Sequence, residues 1–183
     1  KNTFGISGYN NTFGIGCINN TFGIGSFYNT FGDYCQNNTF GNNCDSNIFG
    51  TSCSNNTFGN YCSSNMFGDN CQYNMFGDNY QSNTFGVGCI NNTFGNECYS
   101  NTFGNNCGFN TFGNYCGFNT FGDNCSSNTF GDNCNSNKFY AGTSGTTKKQ
   151  YIKSLVLENG CSYNNFYSSL TTSSCSYLQS IRI

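Results

Sequence analysis

Residues 100–134 read SNTFGNNCGFNTFGNYCGFNTFGDNCSSNTFGDNC, four successive copies of N-T-F-G-x-x-C. Followed outward in both directions, the register never slips. Asn recurs every nine residues from Asn2 to Asn137. Phe follows two residues later each time, as Phe4, Phe13, Phe22, Phe31, Phe40, Phe49, Phe58, Phe67, Phe76, Phe85, Phe94, Phe103, Phe112, Phe121, Phe130 and Phe139. Gly follows every Phe but the last, where Tyr140 stands, and Thr fills the second position except at Ile48, Met66, Met75 and Lys138. The seventh position is Cys at Cys17, Cys35, Cys44, Cys53, Cys62, Cys71, Cys89, Cys98, Cys107, Cys116, Cys125 and Cys134, with Gly8, Ser26 and Tyr80 in its place in three units. A fixed nine-residue period of this strictness is the signature of a repeat architecture.

A weaker modulation doubles the period. The ninth residue is Ser at Ser46, Ser64, Ser82, Ser100 and Ser136 in units counted as odd, and Asn at Asn19, Asn37, Asn55 and Asn91 in even ones. The three units lacking Cys are all odd. Eighteen residues supply two short strands and two turns around a Phe side chain, which nine cannot, so two nonapeptides are expected per coil. Within N-T-F the side chains alternate, placing Asn and Phe on one side and Thr on the other. A row of exposed Phe would aggregate, so Phe faces inward and Thr forms an outer ladder. Gly after Phe is read as ending the strand with positive φ in a G-N-N or G-D-N turn, and Cys returns to the interior after it. A buried Asn row is tolerable only where each amide bonds the Asn above and below. The expected fold is therefore all-β, a parallel β-solenoid (β-roll or β-helix) of about eight coils, roughly 38 Å long at ~4.8 Å per coil.

Composition narrows the function. The 183 residues include 36 Asn and 14 Cys but no His, Pro or Trp, and only 8% are charged. The lack of His removes Ser-His and Cys-His nucleophiles and imidazole-bound metals. Six Lys and Arg at a net charge of −2 cannot neutralise a nucleic-acid backbone, so no nucleic-acid partner is expected. No apolar run exceeds four residues, so no membrane insertion is expected either. Charge is also sorted along the chain: residues 2–137 hold seven acids and no base, whereas 138–183 hold five bases and Glu158. This divides the chain into a regular array, 1–139, and a second part, 140–183, made of a loop insertion plus irregular terminal coils. In the second part Ala141–Gln150 reads as a loop, Leu155-Val156-Leu157 takes the N-T-F position, and Cys161 to Phe166 restores C-x-x-N-x-F. Cys175 and the strand-like run Tyr177–Ile183 follow. The chain opens in register without Met and ends inside a strand-like run, so both ends read as cuts in a longer polypeptide.

No constellation of residues points to catalysis or to a bound cofactor, and no enzyme activity is expected. The cysteines sit on a ladder rather than in C-x-x-C pairs, which gives zinc and iron–sulfur sites no spacing support. They are read as buried and mostly free, in keeping with synthesis in a reducing cytoplasm. Asp follows Gly in only five units (Asp33, Asp69, Asp78, Asp123, Asp132), too few carboxylates for a calcium row, and is read as turn chemistry. Aromatics outside the Phe row, such as Tyr28, Tyr61, Phe109 and Phe118, fall at corners. They could stack on glycans, cover coil edges or pack on a neighbouring chain.

The runs Ser100–Cys107 (SNTFGNNC) and Asn55–Cys62 (NNTFGNYC) resemble the Asn-rich NTFG nonapeptide arrays of tail-fibre-like proteins from phages and prophages of gut Bacteroidales. The resemblance covers residues 2–139 and, loosely, Cys161–Phe166. It implies a virion fibre or host-attachment role, often as a homotrimer, and carries over no catalytic residue. On this reading the chain is a non-enzymatic rigid spacer within a larger homo-oligomeric fibre, made in a reducing host cytoplasm. Its 138–183 end would contact a partner or a cell-surface glycan, with Lys148, Lys149, Tyr151 and Lys153 as the candidate surface. The architecture also allows a bacterial surface adhesin. An ice-binding solenoid is a further alternative, which the interruptions at Ile48, Met66 and Met75 count against.

Overall fold

The computed structural model describes residues 1–141, 155–168 and 181–182, and among these every regular element is a short strand. Numbered in chain order, the strands begin β1 (Thr3–Phe4), β2 (Thr12–Phe13), β3 (Thr21–Phe22), and one recurs in each nonapeptide up to β15 (Asn128–Phe130) and β16 (Lys138–Ala141). They sort by parity: odd strands form one parallel sheet and even strands a second. Thr3 pairs with Thr21, Thr84 with Thr102 and Phe112 with Phe130, so strand partners lie eighteen residues apart. The chain is a parallel β-solenoid with two nonapeptides per coil.

Phe packs the space between the two sheets. Each ring stacks nearly parallel on the Phe eighteen residues away, as in Phe22 on Phe40 (4.8 Å, 6°) and Phe94 on Phe112 (4.6 Å, 4°). Each also meets the Phe nine residues away edge to face, as in Phe49 and Phe58 (5.2 Å, 88°). Both geometries suit the ring quadrupole, and together they make a continuous double column. Phe22 to Phe139 are buried, as are Asn20 to Asn137, while the second-position side chains point to solvent on both faces. Phe4 and Phe13, in the first coil, have a covering coil on one side only and are half-buried.

The glycine after Phe plays a different part from the one expected. It does not adopt positive φ; the left-handed residues are instead the sixth and ninth of each repeat, as at Tyr61 (φ 60°) and Ser64 (φ 58°). The glycine is required by close approach. A Cβ on Gly23 would stand 2.7 Å from the backbone oxygen of Gly5 in the preceding coil, and one on Gly68 would stand 2.8 Å from the carbon and oxygen of Gly50. Gly5 and Gly14, in the first coil, would meet nothing within 4 Å. The left-handed residues turn their peptides around. Positions two and four donate their N–H groups to the preceding coil (Thr57 to the Asn38 carbonyl, 2.9 Å; Gly59 to Phe40, 3.0 Å). Positions six and nine donate to the following coil (Tyr61 to Asp78, 2.9 Å; Ser64 to Gln81, 3.0 Å). A left-handed conformation costs a non-Gly residue roughly 1–2 kcal/mol, which this backbone hydrogen bonding offsets.

The pattern continues past the array as the tail sequence predicts. In β17 (Leu155–Leu157), Leu155, Val156 and Leu157 pair with Asn128, Thr129 and Phe130. In β18 (Asn165–Ser168) Phe166 pairs with Phe139, and in β19 (Ile181–Arg182) Ile181 pairs with Leu155. Asn137 bonds Asn164, twenty-seven residues on rather than eighteen, so the insertion adds nine residues without breaking the stack.

Candidate functional site

The interior carries two kinds of polar ladder. Position-one asparagines run the length of both sheets, each amide bridging coils. Asn83 Oδ1 accepts from the Asn65 backbone N–H (2.8 Å) and the Asn65 Nδ2 (3.1 Å). Its own Nδ2 donates to Asn101 Oδ1 (3.0 Å), the Gln81 carbonyl (2.8 Å) and the Cys62 carbonyl (3.3 Å). Among the described residues no buried side-chain nitrogen or oxygen lacks a partner, which is what makes a buried amide row affordable.

A second amide and carboxylate ladder lies at the corners, where position five follows Gly. Asn42 Oδ1 accepts the Asn60 N–H (2.9 Å), Asp78 Oδ1 that of Asn96 (2.7 Å), and Asn96 Oδ1 that of Asn114 (2.9 Å). Sequence reasoning treated Asp and Asn here as turn formers and missed the ladder. Each side chain serves the coil after its own, not its own turn. Left-handed positions six and nine were also missed, although neither position carries a β-branched residue in any repeat of the array.

The seventh-position thiols fall into two columns. The even units give an unbroken column of seven, Cys17 to Cys125; the odd units give Cys44 and Cys62, then Tyr80, then Cys98, Cys116, Cys134 and Cys161. All thirteen are free thiols, buried except for the half-buried Cys17 and Cys161. Each thiol hydrogen-bonds backbone carbonyls, Cys53 Sγ reaching Gly50 at 3.4 Å and Cys44 Sγ reaching Gly41 at 3.1 Å. Ser26 fills the slot in the same way, its hydroxyl 3.0 Å from the Gly23 carbonyl. Burial, and then the neighbouring Cys35, push the Cys17 thiol up to about 11. Burial likewise raises the Tyr80 phenol well above its ordinary value; the ring is fully buried against Phe76 (4.6 Å), with Asn65 Nδ2 3.5 Å from its oxygen.

The exterior is repetitive. One Thr column runs up each face, broken by Met75 on the odd sheet and by Ile48 and Met66 on the even one, all three exposed. The corner aromatics Tyr28, Tyr34, Tyr61, Tyr73, Phe109, Tyr115 and Phe118 are exposed at left-handed positions. They are scattered along the rod rather than gathered in one patch; among the described aromatics outside the Phe core, only Tyr9 and Phe27 stack between neighbouring coils (6.3 Å). The basic candidates Lys148, Lys149, Tyr151 and Lys153 lie outside the described residues. Among the described residues no group of three or more His, Cys, Asp and Glu side chains converges to hold a metal ion, and no helix is long and apolar enough to cross a membrane. No family model matches the chain, and no curated protein or solved structure matches it significantly.

Proposed function

We propose that this chain is a non-enzymatic, rigid spacer segment of a fibre, of the host-attachment kind that the NTFG resemblance implies. The observation that supports this reading is the uninterrupted double stack from Phe4 to Phe139. Every coil is bonded to the next through backbone, amide and aromatic columns, while the outer surface changes little from coil to coil. Such a rod transmits position and resists bending, and it offers few distinct features for recognition. Contact with a partner chain or a surface glycan belongs on this reading to the 138–183 end, through Lys148, Lys149, Tyr151 and Lys153. Exposed bases of this kind would act mainly by steering an anionic partner.

An antibody raised against the purified array tests the proposal. Labelling of phage particles along a fibre is the expected result. Labelling of the bacterial envelope would replace the fibre with a surface adhesin, and thermal hysteresis of the purified array would replace both with ice binding.

A further inference from the structure

The first coil differs from every coil that follows it in the array. β1 and β2 are the end strands of their sheets. In each later coil the N–H groups at positions two and four donate to the coil before, as Thr21 does to the Asn2 carbonyl (2.9 Å) and Gly32 to Phe13 (3.0 Å). Those of Thr3, Gly5, Thr12 and Gly14 have no such acceptor among the described residues. Position-five carbonyls accept from the coil before, as Ile24 does from Ser7 (2.9 Å), which leaves those of Ile6 and Ile15 unmatched. Asn20 Oδ1 accepts the Asn2 N–H and Asn29 Oδ1 that of Asn11 (both 3.0 Å), but the Oδ1 atoms of Asn2 and Asn11 receive no such bond. Natural sheets blunt an open edge with Pro, charge, a bulge or a cover, and terminal repeats of solenoids carry a polar outer face. This edge does the opposite. Position five is Ile at Ile6, Ile15 and Ile24, and only Asp, Asn, Thr51 or Val87 from Asp33 to Asp132. Ile6 and Ile15 are 75% and 74% exposed, and Phe4 and Phe13 each have a parallel ring on one side only, Phe22 and Phe31 (both 4.8 Å). Gly5 and Gly14 keep the glycine that a covering coil requires elsewhere, although open space surrounds them.

We propose that this edge docks, parallel and in register, a coil of N-T-F-G-x-x-C repeats carried by another polypeptide. The interface is the one that already joins each coil of the array to the next, continued by one more coil. The incoming coil must bring carbonyls at positions one and three above the Thr3, Gly5, Thr12 and Gly14 N–H groups. It must also set an Asn N–H over each free Asn Oδ1 and a Phe over each open ring, which a coil of these repeats does. Main-chain pairing supplies the affinity, and the Asn, Phe and Gly positions supply the choice of partner. The same edge of a second copy is a poorer match. It would approach antiparallel and set Asn2 against Phe4, so neither the amide column nor the ring column would continue. The inference concerns a surface separate from the 138–183 contact and does not depend on the fibre reading.

The probe is a synthetic peptide with the sequence of residues 92–127, labelled with fluorescein at its amino end. It is titrated with the full 183-residue chain under reducing conditions and followed by fluorescence anisotropy. Saturable binding is expected, and a scrambled peptide of the same composition should not bind. The double variant Gly5→Ala, Gly14→Ala adds two Cβ atoms that meet nothing in the free chain. In later coils the equivalent atoms on Gly23 and Gly32 would stand 2.7 and 2.8 Å from the backbone of the coil before. The thermal melt of the variant should therefore be unchanged while its peptide affinity falls at least ~10-fold. Thr3→Pro with Thr12→Pro, which removes two N–H donors from edge strands where Pro is tolerated, should weaken binding in the same way. Absence of saturable binding, equal binding of the scrambled peptide, or affinity unchanged in both double variants would overturn the proposal. Loss of binding only together with loss of the circular dichroism spectrum would do the same. Self-association of the wild-type chain, abolished by the glycine pair, would assign the edge to a second copy and overturn the proposed occupant.

Discussion

Replacing Asn83 by Ala removes one rung of the buried amide ladder and leaves the neighbouring rungs in place. Asn65 loses the acceptor of its backbone N–H, while its Nδ2 keeps the Cys44 carbonyl (3.0 Å). Asn101 Oδ1 keeps the Asn83 backbone N–H (3.0 Å), and the Gln81 carbonyl keeps the Ser64 N–H (3.0 Å). One buried N–H is thus orphaned, at about 1–3 kcal/mol. The cavity left by the lost amide adds about 1 kcal/mol more. The expected destabilisation is therefore about 2–4 kcal/mol. Asn96→Ala is the control, because it also deletes an inter-coil acceptor, that of the Asn114 N–H (2.9 Å), but at an exposed corner. Water replaces the lost acceptor there, and the cost falls below about 1 kcal/mol. Urea unfolding followed by circular dichroism measures both. Equal costs for the two variants would refute the reasoning, since burial of the ladder would then contribute nothing.

Asn83→Asp sharpens the same point through pH. The carboxylate would face the Cys62 and Gln81 carbonyls that Asn83 Nδ2 now bonds, so its folded pKa is raised, and the variant should lose stability as pH rises above about 4, the unfolded value, and recover in acid. Gly68→Ala, whose Cβ would press on the Gly50 backbone, is expected to cost about 1–3 kcal/mol, whereas Gly5→Ala, with open space around it, should be near neutral in the same melts. Ser64→Val should destabilise by about 1–2 kcal/mol at its left-handed position while Ser64→Gly does not, because a β-branched side chain clashes there. At pH 8 the folded chain should yield almost none of its thirteen described thiols to a disulfide reagent, Cys17 reacting first and faster as pH approaches 11; rapid reaction of all of them would mean that the columns are open. Deleting residues 141–150 should leave the array folded and reduce adsorption to the host; unchanged adsorption would leave only the spacer role.

The fold was legible because its two periods are both written in side chains. Asn2 to Asn137 gives the nine-residue register, and the gaps at Gly8, Ser26 and Tyr80, all in odd units, give the eighteen-residue coil because they fall in one physical column. The burial of Phe and Asn followed from alternation along N-T-F, and that of Cys from its place after the turn. What stayed hidden was backbone geometry. Gly after Phe invites a conformational explanation, but the demand on Gly23 or Gly68 comes from a coil that is eighteen residues away in sequence and touching in space. The left-handed Tyr61 and Ser64 look like ordinary corner residues, and only the lack of Val, Ile and Thr at their positions marks them. Asp78 and Asn96 bond forward to the next coil, a relation invisible until the coil length is known. The surface at Lys148 to Lys153 depends on a segment whose composition departs from the repeat, so periodicity says nothing about its form.

Eighteen residues per coil, in rigid register, is the central claim, and pulsed electron–electron spin spectroscopy measures it directly. Labels replacing Thr39, which is exposed, and Thr129, which is half-buried, sit on outward-facing positions of the same sheet, five coils apart through an unbroken chain of in-register pairs. The expected separation is about 24 Å at ~4.8 Å per coil, with a narrow distribution set by the label arms. A separation near 48 Å, as one nonapeptide per coil would give, or a broad distribution from a flexible array, would contradict the account.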